Sequence, residues 1–209
     1  MAAEFIKIYP QNPDIRRIEQ VVKTLLDGGI IIYPTDTVYG MGCDINNAKA
    51  IERIARIKGI KPDKANFAFI VYDLSHLSEY AKSVSTPIFK LMKKALPGPF
   101  TFILEASSKV PKLMNFNKKD VGIRIPDHSI PRCIVKELGR PIVTTSIRDD
   151  DDVIEYSTDP ELIFEKYRNL VDIVIDGGYG NNVASTIVDC TGDEFVIVRE
   201  GMGDINEFL

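Results

Sequence analysis

The chain predicts an α/β fold, a single twisted mixed sheet flanked by helices, and three observations carry that reading. Short apolar runs rich in β-branched residues alternate along the chain with stretches whose apolar residues recur at helical spacing. The 209 residues, 44% of them hydrophobic, suffice for one sizeable core, and no internal repeat or long linker divides them. The apolar run Ile30 to Ile32 opens directly onto Tyr33-Pro34-Thr35-Asp36-Thr37-Val38-Tyr39-Gly40-Met41-Gly42. Such a Thr- and Gly-rich segment follows a buried strand, where open α/β sheets bind ligands.

In chain order, Phe5 to Ile8 reads as a short strand, and Asn12-Pro13-Asp14 starts a helix carried by Ile15, Ile18, Val21, Val22, Leu25 and Leu26. Gly28 and Gly29 end it before the Ile30 to Ile32 strand and the Thr/Gly loop. Asn46 or Asn47 caps a second helix with Ala50, Ile51, Ile54, Ala55 and Ile57 on one stripe, closed by the segment from Lys58 to Lys64. A buried strand follows from Ala68 to Val71, then helical turns after Asp73, then a helix opened by Thr86-Pro87 and stopped by Pro97-Gly98-Pro99. Further strands are expected at Phe100 to Leu104, Val121 to Ile125, Ile142 to Thr145, Ile173 to Ile175, Ser185 to Val188 and Phe195 to Arg199. The last two form a hairpin across residues 191–194, and helices fill Ser129 to Leu138 and Pro160 to Tyr167. The four aspartates Asp149 to Asp152 read as a solvated loop.

Composition narrows the function. The longest apolar stretches fall short of a membrane span, and the N-terminus lacks a signal-peptide layout, so a cytoplasmic protein is expected. Three widely separated cysteines, Cys43, Cys133 and Cys190, give neither a disulfide framework nor metal-ligand spacing, and with two histidines a zinc centre is not expected. A formal net charge of −4 argues against coating of a phosphate backbone, leaving room only for a local basic concavity.

Individual residues have two readings each. Thr35 and Thr37 can present hydroxyls to an amino acid or phosphate, or close a turn; Gly40 and Gly42 can admit a ligand to the backbone, or belong to that turn. Arg124 alternates with Ile123 and Ile125, so it faces away from them, and its type alone favours solvent. Lys58 suits a phosphate or simply the carbonyl end of a helix, while isolated serines more often cap or turn.

The order of motifs is more informative than any one of them. Pro34-Thr35-Asp36-Thr37-Val38-Tyr39-Gly40 is followed by Lys58-Gly59, Pro97-Gly98-Pro99-Phe100-Thr101 and Gly122-Ile123-Arg124-Ile125-Pro126-Asp127-His128. Then come Thr144-Thr145-Ser146, Asp176-Gly177-Gly178, Ser185-Thr186-Ile187-Val188-Asp189 and Arg199-Glu200-Gly201. In this order the chain resembles the threonylcarbamoyl-AMP synthase family, the YrdC/YciO-like proteins, over essentially its whole length, and the YciO branch most closely. The resemblance implies one YrdC-like domain over 1–209 with a large, positively charged concave cavity. It also implies an enzyme that joins L-threonine, bicarbonate and ATP, with Mg²⁺ carried on the phosphates, into threonylcarbamoyl-adenylate for tRNA modification.

By the same resemblance, Thr35, Arg124 and Ser185 bind threonine, Arg124 by clamping its carboxylate. Lys58 serves the triphosphate, with Lys61 standing beside it as a substitute catalytic cation, and Ser146, Arg148, Ser157 and Arg199 surround the nucleotide. Four departures matter. The family's Lys-x-Arg reads Lys58-Gly59-Ile60, and its Ser-x-Asn reads Ser146-Ile147-Arg148. Val71 or Tyr72 replaces a histidine, and Ala184 replaces the acid before the Ser-Thr pair. Loss of one oriented donor typically costs about a hundred- to a thousandfold in rate, so weak or altered turnover is expected. The competing readings are a double-stranded RNA-binding or tRNA-contacting module, and a nonenzymatic protein that retains a nucleotide or amino acid.

Overall fold

The computed structural model describes residues 2–61, 65, 67–110, 119–147, 158–192 and 194–209. Lys64, Arg148, Asp149 to Asp152, Ser157 and Asp193 lie outside them.

Ten strands form one mixed sheet among the described residues. In chain order the elements are β1 (Glu4–Lys7), α1 (Ile15–Leu26), β2 (Ile30–Tyr33), β3 (Gly40–Asp44), α2 (Ala48–Ile57), β4 (Ala68–Ile70), α3 (Leu77–Tyr80) and α4 (Thr86–Ala95). They continue with β5 (Phe100–Glu105), β6 (Asp120–Arg124), α5 (Ser129–Leu138), β7 (Ile142–Ser146), α6 (Pro160–Tyr167), β8 (Ile173–Asp176), β9 (Thr186–Asp189) and β10 (Val196–Arg199), closing on a 3₁₀ turn at Ile205–Phe208. Across the sheet the order is β1-β8-β2-β3-β7-β4-β6-β5-β9-β10. The pairs β1·β8, β2·β8, β4·β6 and β5·β9 are parallel, and the remaining neighbours antiparallel.

The helices start where short polar side chains can hold free backbone N–H groups. Asp14 accepts from Arg16, Asn47 from Ala50, Ser85 from Ile88 and Asp159 from Glu161. Two cores result. On one face, α2, α4 and α6 pack over alternate strand residues including Ile32, Met41, Phe69, Phe102, Ile123 and Val143. On the other, α1 and α5 cover Ile6, Ile31, Tyr33, Ile70, Ile142 and Ile175. That second cover reaches only part of the sheet. Beyond β4 the same face carries Gly122 and Arg124 of β6 and Thr101 and Ile103 of β5, alternating with the first core's Val121, Ile123, Phe100 and Phe102.

Most elements fall within a residue of expectation, but β3 does not. The sequence reads Gly40 to Gly42 as loop, whereas these residues form a fully buried strand paired to β2 and β7. Gly-Met-Gly-Cys lacks strand propensity; its place is decided by Tyr33, whose ring lies over both glycines. A Cβ at Gly40 would come within 3.0 Å of the Tyr33 ring, and one at Gly42 within 2.5 Å of Ile142 Cγ2. The glycines thus admit protein side chains against the strand. Tyr33 Oη then reaches Thr144 Oγ1 across the buried face, and desolvation pushes the phenol up to about 12.

Candidate functional site

The loop after β2 is shaped by its own hydroxyls. Thr35 Oγ1 donates to the Val38 carbonyl at 2.7 Å and accepts from the Thr37 N–H at 3.0 Å, a turn closed by its first side chain. A second segment clamps it from outside: the Asn181 N–H donates to the Thr37 carbonyl and Asn181 Nδ2 to the Asp36 carbonyl. Tyr39 holds that segment in turn, donating to the Gly178 carbonyl at 2.6 Å and accepting from the Gly177 N–H at 3.2 Å. The Asp176-Gly177-Gly178 stretch is therefore a structural turn, with Gly178 at φ +95° and its N–H on Asp176 Oδ1.

Arg124 reaches this loop from the uncovered sheet face. Contrary to the expectation from residue type, it is only 9% exposed. Its Nη2 donates to Asp36 Oδ1 at 2.6 Å, Thr37 Oγ1 at 2.6 Å and Thr35 Oγ1 at 3.2 Å. Burial is tolerable because the charge is paired and hydrogen-bonded. Asp36 is itself anchored, its Oδ2 accepting from the Asp127 N–H at 3.1 Å. The buried Arg124 Nε–H has no partner among the described residues.

A second polar pair lies on the same face. Ser185 Oγ and Thr101 Oγ1 are 3.0 Å apart and both side chains are buried. Arg199, on the edge strand β10, donates through Nη2 to the Ser185 carbonyl at 2.7 Å and to Ser185 Oγ at 3.3 Å. Between the pairs the floor is flat: Gly122 sits against Ala68 and Thr101, so that a Cβ there would meet Ala68 Cβ at 3.1 Å. A cavity of about 240 Å³ opens over Ala68, Thr101, Ile103, Gly122, Ile187 and Val198. A larger one, about 520 Å³, lies between α3 and α5 against Tyr72, Tyr80, Lys136 and Arg140, and none of the expected site residues among the described residues lines it. The smaller cavity is the better candidate, because its lining includes Gly122 on the strand that carries Arg124 and Thr101, the hydrogen-bond partner of Ser185.

The structure thus joins Thr35 with Arg124 and Ser185 with Arg199. Lys58 is the half-buried C-cap of α2, where the Gly59 N–H returns to the Arg56 carbonyl and the Ile60 N–H to the Ala55 carbonyl, a Schellman closure with Gly59 at φ +67°. Ile60 is the residue that follows this closure, and Lys61 beyond it is exposed. Ser146 ends β7, half-buried and paired to Gly40. Of the remaining nucleotide candidates, Arg148 and Ser157 are outside the described residues. Two contributors were missed as site residues: Asp36 and Thr101. Thr101 had a signal, a hydroxyl alternating with Phe100 and Phe102 and so facing away from their core.

The bare face of the open mixed sheet thus carries a buried arginine fork beside buried hydroxyls. A model of the Sua5/yciO/yrdC family, described as "Telomere recombination", matches residues 23–201, and the chain belongs to this family. It is 40% identical to YciO of Escherichia coli (strain K12) over 208 residues, covering 99% of this chain and 100% of that one. The crystal structure of E. coli YciO superposes with a TM-score of 0.89 over 99% of this chain and 100% of the other. A putative threonylcarbamoyl-AMP synthase of Methanocaldococcus jannaschii is 34% identical over 203 residues, 95% of this chain and 93% of that protein. P. abyssi Sua5 complexed with L-threonine matches at 25% identity and a TM-score of 0.82, over 94% of this chain and 57% of that one.

Proposed function

We propose that this chain is a threonylcarbamoyl-AMP synthase-like enzyme, a YrdC-like domain over 1–209 that uses MgATP, bicarbonate and L-threonine and serves tRNA modification, with turnover weakened or redirected by its motif departures. The observation that carries the reading is the buried Arg124 fork, set among Thr35, Asp36 and Thr37 on the uncovered sheet face. The L-threonine complex of P. abyssi Sua5 supports threonine as the amino acid.

In this reading Arg124 takes the threonine carboxylate through its remaining N–H groups, and Ser185 with Thr101 offers hydroxyls beside it. The threonine amine condenses with bicarbonate, releasing water and leaving a carbamate. A carbamate oxygen then attacks the α-phosphorus of ATP, and pyrophosphate departs with Mg²⁺. Positioning two anions and spreading charge over phosphate oxygens is the protein's task. Lys58 and Lys61 act at the phosphates, and Ser146, Arg148, Ser157 and Arg199 at the nucleotide. Ile60 places an alkyl group where the family has a guanidinium, which removes one donor from the phosphates. Arg124 adds little to an RNA surface, since Asp36 neutralises it within the fold.

The test is to incubate the protein with ATP, L-threonine, bicarbonate and Mg²⁺ and to measure threonylcarbamoyl-adenylate by mass spectrometry, with Lys58→Ala in parallel. Product that disappears in the variant is expected. Absence of product from folded wild-type protein would overturn the synthase reading in favour of a binding protein or another substrate.

A further inference from the structure

We propose that Asp36 makes this site selective for zwitterionic α-amino acids over simple carboxylic acids. The inference rests on the reading of Arg124 as the carboxylate clamp and concerns which carboxylates the clamp accepts.

Arg124 and Asp36 meet at 2.6 Å with side-chain exposures of 10% and 11%, a closed pair carrying no net charge. Asp36 cannot swing clear without loss, because its second carboxylate oxygen holds the Asp127 N–H. A carboxylate arriving at the free side of the Arg124 fork therefore places a second anion on a guanidinium that Asp36 already neutralises, while Arg199 is held at the Ser185 carbonyl. That excess negative charge is penalised in a poorly solvated site. An α-amino acid avoids the penalty. Its ammonium is one carbon away from its carboxylate, so it arrives within a few ångströms of Asp36 and restores neutrality. The hydroxyls of Thr35, Thr37, Thr101 and Ser185 border the site and carry no charge, so they cannot perform this discrimination. Asp36 thus acts as a specificity residue through charge and as a positioning residue by fixing the guanidinium plane.

The experiment compares L-threonine with 3-hydroxybutyrate, the same skeleton without the amine, by calorimetric titration of the wild type, Asp36→Asn and Arg124→Lys. Asparagine keeps an oxygen for the Asp127 N–H while removing the charge, and Asp36→Ser with a thermal-unfolding control provides a second uncharged variant. The wild type is expected to prefer threonine, and the uncharged variants to lose at least tenfold of that preference, chiefly by gaining affinity for 3-hydroxybutyrate. An unchanged preference in both uncharged variants, with threonine binding lost in Arg124→Lys, would overturn this inference alone. Threonine binding untouched by Arg124→Lys would overturn the clamp itself.

Discussion

Arg124 lies buried because strand alternation turns it away from Ile123 and because a carboxylate and two hydroxyls wait in the loop above it. That loop is held in place by Tyr39 through the turn at Gly177 and Gly178. Burial raises the Tyr39 phenol far above its ordinary value, so the hydroxyl remains a donor throughout the physiological range. Tyr39→Phe removes the donor to the Gly178 carbonyl and the acceptor of the Gly177 N–H while leaving the ring in the core. The expected loss is about 1–3 kcal/mol, read from urea unfolding, together with weakened threonine binding as the Asn181 clamp loosens. A stability change without any binding change would place Tyr39 in the fold alone.

At the scale of elements, β3 shows how packing overrides propensity. Two glycines would ordinarily weaken a strand, yet this one lies near the middle of the sheet because Tyr33 needs the space above it. Gly42→Ala puts a methyl 2.5 Å from Ile142 Cγ2 and 2.8 Å from the Val143 carbonyl oxygen, both inside the core. Overpacking of this kind is expected to cost about 1–3 kcal/mol. Gly59→Ala is the control, since a Cβ there meets nothing within 4 Å and only the φ of +67° resists it. It should cost about 1–2 kcal/mol, from backbone conformation alone. A thermal-unfolding shift for Gly42→Ala smaller than that of Gly59→Ala would show that β3 accommodates the methyl without overpacking.

Across the whole molecule, stability and site are coupled where α5 begins beside the Arg124 loop. His128 caps α5, its Nδ1 accepting from the Ile130 N–H, and burial lowers its pKa against smaller opposing effects from Asp36 and Asp127. A folded value below the unfolded one means that the folded state disfavours the proton. The associated stability is full above the unfolded value of about 6.5 and is lost as pH falls through the folded value. Unfolding free energy measured from pH 7.5 down to 5 should therefore decline. His128→Asn, which retains a capping oxygen, should flatten that decline. An identical slope in the variant would assign it to the carboxylates instead.

The amino-acid sequence by itself determined the alternation of strands and helices, most of their ends, and the family. Apolar period, capping residues such as Asn47 and Asp159, and breakers such as Pro97-Gly98-Pro99 are local signals, and the ordered motifs survive without coordinates. It also grouped Thr35, Arg124 and Ser185 as threonine-binding and set Arg199 with the nucleotide, whereas in the fold Thr35 meets Arg124 and Ser185 meets Arg199. Only the tertiary structure decided that Gly40 to Asp44 is a strand, that α1 and α5 leave part of one sheet face bare, and that Arg124 is buried. The reason is physical: each of these depends on a partner distant in the chain. Tyr33 makes room for itself over β3, and Asp36 neutralises an arginine 88 positions away. The charge of an isolated residue is legible in sequence; whether that charge is already matched is settled only where the chain folds back on itself.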